Sequence, residues 1–287
     1  MKKQILIILA SLITHFLLGQ DDCTALMRAV KAGHTNKIQQ LAKQVDVNCV
    51  CEENEPRTPL VLAARKGKYA TVEKLIELGA KVNFHHQMDE SPIIAATIKG
   101  SLETVQLLVA AGAKINEVFP FNGTALTRAI SYSRTEIVQF LLKNGADPNL
   151  GNRSDGYPLL LAAKKGNAKL VEQLVESGAS INHSIIGDGN ALIIAVTKGN
   201  IDLANYLIEN GANVNFEIRG NETPLINACR KGHFDLVQML VEKGADVNQS
   251  SRDGDFIHSK LHTPLRVARS NRHKKIEAFL IEKGAKR

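Results

Sequence analysis

Residues 223–248 read TPLINACRKGHFDLVQMLVEKGADVN, and the same phrase returns along the chain with small changes. A Thr-Pro-Leu-like opening is followed by Ala and a basic residue with Gly, then by an apolar helical pattern that ends in Gly-Ala and Val-Asn. The phrase starts at Thr24, Thr58, Ser91, Thr124, Tyr157, Asn190, Thr223 and Thr263, at intervals of 34, 33, 33, 33, 33, 33 and 40 residues. Self-similarity at such a period fixes the architecture before any single residue is read, because each repeat is one supersecondary unit. Eight units take in almost everything after residue 22.

The physics of one unit is legible in the copy at Thr58. From Pro59 to Arg65, Leu60, Ala63 and Ala64 share one side of a short helix, and the small residues let neighbouring helices approach closely. Gly67 ends that helix, as glycine does where a left-handed cap is needed. Val72, Leu75 and Ile76 then show the 3, 4 spacing of a buried stripe, and Gly79 stops the second helix. No unit buries its apolar face alone, so stability comes from stacking neighbours into a common core. Between units, Asn122-Gly123, Asp155-Gly156 and Asp188-Gly189 are tight-hairpin pairs suited to positive φ.

TPLVLAARKG from Thr58, TPLINACRKGHFDLVQMLVEKGADVN from Thr223, and TALTRAI with EIVQFLLKNGADPN in the unit from Thr124 resemble the ankyrin repeat. The resemblance runs from about residue 20 to the end, and implies an all-α repeat, an ankyrin solenoid of about eight helix-turn-helix units with projecting β-hairpin loops. In that family a His commonly follows Thr-Pro-Leu and ties adjacent loops together. Here the position holds Met27, Val61, Ile94, Thr127, Leu160, Ile193, Ile226 and Arg266. The departure puts those inter-loop hydrogen bonds in doubt and leaves the fold intact, since an aliphatic side chain contributes burial instead.

The chain opens MKKQILIILASLITHFLLGQ: two lysines, an apolar run from Ile5 to Leu18 interrupted by Thr14 and His15, and a small residue at Gly19. That order is a secretory signal peptide, placed at 1–19 with cleavage near Gly19 or Gln20. The run is shorter than the ~20 residues a membrane span needs. Asp21 and Asp22 disfavour a lipid anchor on Cys23, because a lipidation site has small or apolar residues there. The expectation is an exported bacterial protein, periplasmic or secreted, whose mature part (20–287) is a single repeat domain without a membrane span. Removing Lys2 and Lys3 takes the net charge from +7 to 34 − 29 = +5, a mild basic excess that favours acidic partners without selecting one.

In an exported chain the four cysteines meet oxidising conditions. Cys23 lies beside the first hairpin, and Cys49 and Cys51 lie in the connection to the second unit. A bridge from Cys23 to one of them would pin the N-terminus, and Cys23 with Cys51 is the preferred pair. Cys229 replaces Ala64 of the second unit and reads as a small buried filler. Asn-x-Ser/Thr triplets occur at Asn122, Asn152, Asn182, Asn221 and Asn248. Asn182 and Asn248 are the repeat's terminal Asn, whereas Asn122 and Asn221 are turn residues, so structural roles compete with glycosylation.

The sharpest surface pattern is a basic ladder at the end of the first helix of successive units: Lys66, Lys99, Lys165, Lys198 and Lys231, with Tyr132 at the missing rung and Arg65, Lys164 and Arg230 beside it. Read as function, it lines the concave face as a groove for an acidic protein surface or a polyanion. Read as structure, a cation in the last turn complements the helix dipole by a few tenths of a kcal/mol. His85, His86, Asp89 and Glu90 cluster in one hairpin, but neighbouring His residues on a strand point to opposite faces, so no metal site is assigned. The stretch from Asn248 to Thr263 is seven residues longer than its counterparts and carries Phe256 and Ile257 as an exposed apolar pair suited to partner contact. Arg266, Arg269, Arg272, Lys274 and Lys275 read as the polar outer face of a terminal unit rather than a nucleic-acid patch.

Catalysis finds little support: there is no phosphate-binding Gly loop, nucleophile elbow or metal knuckle, and no Ser, His and acid set at matching repeat positions. His34 and His233 occupy a Gly-His position that requires no chemistry. The sequence therefore predicts a monomeric, non-catalytic module that binds a protein partner with an acidic surface through its concave face and hairpin tips, with no cofactor, metal or nucleic acid. A binder of envelope polyanions through the lysine ladder is the alternative, and an unrecognised enzyme the distant third.

Overall fold

The computed structural model describes residues 22–51, 57–86, 90–154, 156–187, 189–217, 222–253 and 260–286. The expected signal peptide at 1–19, and Phe256 and Ile257, lie outside the described residues. The described residues fall into two compact bodies, divided after residue 155, each an all-α repeat. In the first, α1 (22–32), α3 (Pro59–Lys66), α5 (Pro92–Lys99) and α7 (Ala125–Ser131) alternate with α2 (Thr35–Leu41), α4 (Tyr69–Glu77), α6 (Leu102–Ala110) and α8 (Thr135–Lys143). In the second, α9 (Pro158–Lys165), α11 (Ala191–Thr197), α13 (Pro224–Lys231) and α15 (Pro264–Ser270) alternate with α10 (Ala168–Glu176), α12 (Ile201–Glu209), α14 (Phe234–Glu242) and α16 (Lys274–Glu282). Among the described residues no helix is long and apolar enough to cross a membrane.

The repeated phrase is a helix-start device. Thr58 takes an extended backbone and accepts from the Val61 N–H, while Pro59 fills the first helical turn, where its missing N–H costs nothing. Thr223 and Thr263 do the same for Ile226 and Arg266, and Asn190 for Ile193. In one of the three copies that lack Pro, Thr124 and Thr127 cap each other reciprocally. Leu60, Ala63, Ala64, Val72 and Leu75 are all buried, and the remaining copies bury the matching residues. First helices stack on first helices, α3 on α5 and α5 on α7 in the first body, and α9, α11, α13 and α15 in turn in the second.

Where a ring-bearing His would tie loops in the resembled family, Val61, Ile94, Leu160 and Ile226 are at most 1% exposed. The inter-unit hydrogen bonds come instead from the Asn that closes each unit. Asn83 donates to the Gly112 carbonyl and accepts from the Lys114 N–H, and Asn116 treats Gly145 and Asp147 alike. Asn48 does the same in the first body, as do Asn182, Asn215 and Asn248 in the second. One amide thereby satisfies an orphan carbonyl and an orphan N–H of the next unit's loop.

A second tie crosses the glycine that ends several of the first helices. Gly100 is left-handed at φ +85°, and a Cβ there would sit 2.7 Å from the Arg134 guanidinium, which donates to the Ile98 and Lys99 carbonyls at the end of α5. Gly232 meets the His273 ring in the same way, and the ring lies 3.3 Å from the Arg230 carbonyl. Two copies lack the glycine, and Ser133 and Arg272 then occupy the left-handed region at φ 55° and 61°.

The hairpins are short. β1 (Ser184–Ile185) pairs antiparallel with β2 (Gly189–Asn190), and β3 (Ser251–Asp253) with β4 (Lys260–His262), which forms the base of the long finger. Phe119 bridges Gly123, and Cys51 bridges Arg57.

Candidate functional site

Each rung of the basic ladder occupies the same local position. Lys66, Lys99, Lys165 and Lys231 are the last residues of α3, α5, α9 and α13, and Lys198 caps α11. All five are exposed, and Tyr132, which caps α7, is 47% exposed. Among the described residues Lys66, Lys99, Lys198 and Lys231 make no ion pair. The flanking arginines are committed: Arg65 pairs at 2.9 Å with Glu90, itself only 4% exposed, and Arg230 pairs with Glu222. His262 of the long finger joins the second pair, its Nδ1 lying 2.7 Å from Glu222 and 2.8 Å from Arg230. Arg65 and Arg230 thus anchor hairpins, while the lysines carry outward charge. Lys164 is exposed beside its rung.

Hairpin tips supply apolar surface that the sequence reading missed. Phe121 is 61% exposed in the first body with Val118 beside the same turn, and in the second body Ile186 is 60% exposed at the β1–β2 turn. Large apolar side chains held in water by a hydrogen-bonded turn are the usual anchors of an interface. The turn beneath Phe121 is stiff: Arg128 donates to the Phe121 and Asn122 carbonyls, and Asn152 donates to the Phe119 carbonyl. The available signal was an apolar residue beside an Asn-Gly or Gly-Asp pair.

The His85 hairpin does not converge. His85 stacks edge-on against Phe119 at 4.7 Å and lies 3.8 Å from Glu117, while Glu90 goes to Arg65; Asp89 is outside the described residues. The terminal cations are likewise dispersed: Arg266 donates to the Leu261 carbonyl, Arg269 pairs with Glu277, and Lys275 sits over the Phe234 ring at 3.8 Å. Three cysteines do converge. Cys23 lies against both Cys49 and Cys51, with Cα separations of 6.2 and 6.1 Å. Cys229 is fully buried, and burial, with the Glu222 charge nearby, pushes its thiol up to about 12. His183 is held below the ordinary imidazole value by burial alone; its ring lies against Tyr157 at 4.0 Å and its Nε2 has no hydrogen-bond partner.

No curated protein matches the chain. A family model described as ankyrin repeats in three copies matches residues 6–86, 79–152, 159–251 and 216–286. Such repeats are generally protein–protein interaction modules. Matched over nearly its whole length and built from the helix pairs and Asn-tied loops described above, this chain belongs to the ankyrin repeat family.

Proposed function

We propose that the protein is an exported, non-catalytic binding module of eight ankyrin units, a monomer that recognises a protein partner with an acidic surface. Partner contact is made by the helix-end lysines and the hairpin tips. The observation that carries this reading is the set of exposed cations at one repeated position, four of which make no ion pair among the described residues. A cation that served its own fold alone would gain only a few tenths of a kcal/mol from the helix dipole. Phe121 and Ile186 provide the apolar anchors that charge alone lacks, since steering charges speed encounter more than they hold a complex. In an exported chain the partner lies outside the cytoplasm.

The test is affinity capture from the exported compartment with the full chain and with Lys165→Gln/Lys198→Gln/Lys231→Gln. A protein retained by the first and lost by the second is expected; equal recovery rejects the lysines as the contact. The polyanion alternative rests on the same lysines and separates by salt. A polyanion complex weakens steeply and log-linearly as salt rises, whereas a contact anchored by an apolar hairpin tip, Phe121 or Ile186, retains most of its affinity.

A further inference from the structure

We propose that Cys23, Cys49 and Cys51 form a thiol–disulfide exchange site, in which Cys23 bonds alternately to Cys49 and Cys51 and the thiol released at Cys49 reacts with disulfide-bearing molecules. The three sulfurs all lie within 4.8 Å of one another. The Cα separations from Cys23, 6.2 Å to Cys49 and 6.1 Å to Cys51, both fall inside the range of about 4.4–6.8 Å that a disulfide spans, so either bridge closes without backbone movement. A sulfur forms one such bond, and three cysteines leave one thiol over. Loop closure does not choose between them, because the two loops have nearly equal sequence separations of 26 and 28 residues. Both arms are also held in place: the Cys49 N–H donates to the Asp46 carbonyl, and Cys51 is bridged to Arg57.

Burial separates the roles. Cys23 is 4% exposed and Cys51 9%, while Cys49 is partly exposed, so the shared sulfur is shielded and an outside molecule meets Cys49. The exchange is redox-neutral. The Cys51 thiolate attacks the Cys23 Sγ, the Cys23–Cys49 bond breaks, and its electron pair leaves on the Cys49 sulfur as thiolate. That thiolate attacks an external disulfide RSSR, forming Cys49–SR and releasing RS⁻, which takes up a proton. The first internal disulfide forms from two thiols and one RSSR, which is reduced to two RSH.

The test oxidises the full chain with oxidised glutathione at a low ratio, quenches in acid, denatures, alkylates with N-ethylmaleimide and locates the label by fragment ions that separate Cys49 from Cys51. Label divided between Cys49 and Cys51 is expected, each on at least about a tenth of the molecules. Label confined to one position means a fixed disulfide and overturns the proposal, as does label on two or three of the cluster cysteines. In the native protein, excess oxidised glutathione is expected to modify Cys49 rather than Cys51. Cys51→Ser should slow that reaction at least tenfold, because Cys23 then holds Cys49 permanently. An undiminished rate in this variant would mean that Cys49 is simply free, and would also overturn the exchange.

Discussion

At the scale of single residues, the asparagine closing each unit does what the missing histidine was expected to leave undone. Each such amide makes two bonds to the next loop, and losing both leaves a carbonyl and an N–H to find water. Asn83→Ala and Asn215→Ala should each lower stability by about 1–3 kcal/mol in chemical denaturation, against near-neutrality for alanine at exposed Asn144, whose amide bonds only within its own helix. Arg272 presents the opposite case, a non-glycine residue at φ 61°. Arg272→Gly removes the left-handed penalty of about 1–2 kcal/mol and adds unfolded-state entropy, for a net gain of roughly 0.5–1 kcal/mol and a higher Tm. Cys229, its thiol pushed up to about 12, should resist alkylation in the native protein at pH 8 and react only on denaturation. The role of the terminal Asn was half legible: its recurrence showed in the sequence, but its partners, some 29–31 residues further on, depend on a loop register that a single phrase does not contain.

At the scale of elements, the sequence was read most fully where the physics is local. Thr at the cap, Pro in the first turn, Leu and Ala facing inward and Gly at the end are all decided within eight or ten residues, and the structure puts each in that role. What lay beyond reach were contacts between units. A Gly-His pair requires no chemistry, yet its ring reaches back over the previous unit's helix end, as His233 does over Gly199, and Arg134 takes the same place over Gly100. This gives a paired expectation. Gly232→Ala places a Cβ 2.6 Å from the His273 ring at φ +74°, whereas Gly244, at φ +94°, has nothing within 4 Å. Both variants bear the left-handed strain, so the excess destabilisation of Gly232→Ala, on the order of 1 kcal/mol by denaturant unfolding, reports the inter-unit tie. The exposed apolar residues at the tips escaped notice because a single Phe or Ile in a turn carries no period; only the folded hairpin shows which side it faces.

At the scale of the whole molecule, stability and recognition meet different groups. The His183 ring, held below its ordinary value of 6.5, stays neutral in the folded chain while the unfolded chain takes up a proton. Unfolded molecules then bind more protons, so stability falls as pH drops through 6.5 and levels off below the folded value. Thermal unfolding from pH 7 to 5.5 should show this loss, and His183→Phe, which keeps a ring against Tyr157, should reduce it. The proposed recognition rests instead on the exposed helix-end lysines. The most direct test is the affinity of the captured partner for the full chain and for Lys165→Gln/Lys198→Gln/Lys231→Gln, both folded by circular dichroism. Loss of three interfacial charges predicts Kd at least about tenfold weaker, or about 1.4 kcal/mol. An unchanged Kd would contradict the account and leave the lysines as helix-end electrostatics alone.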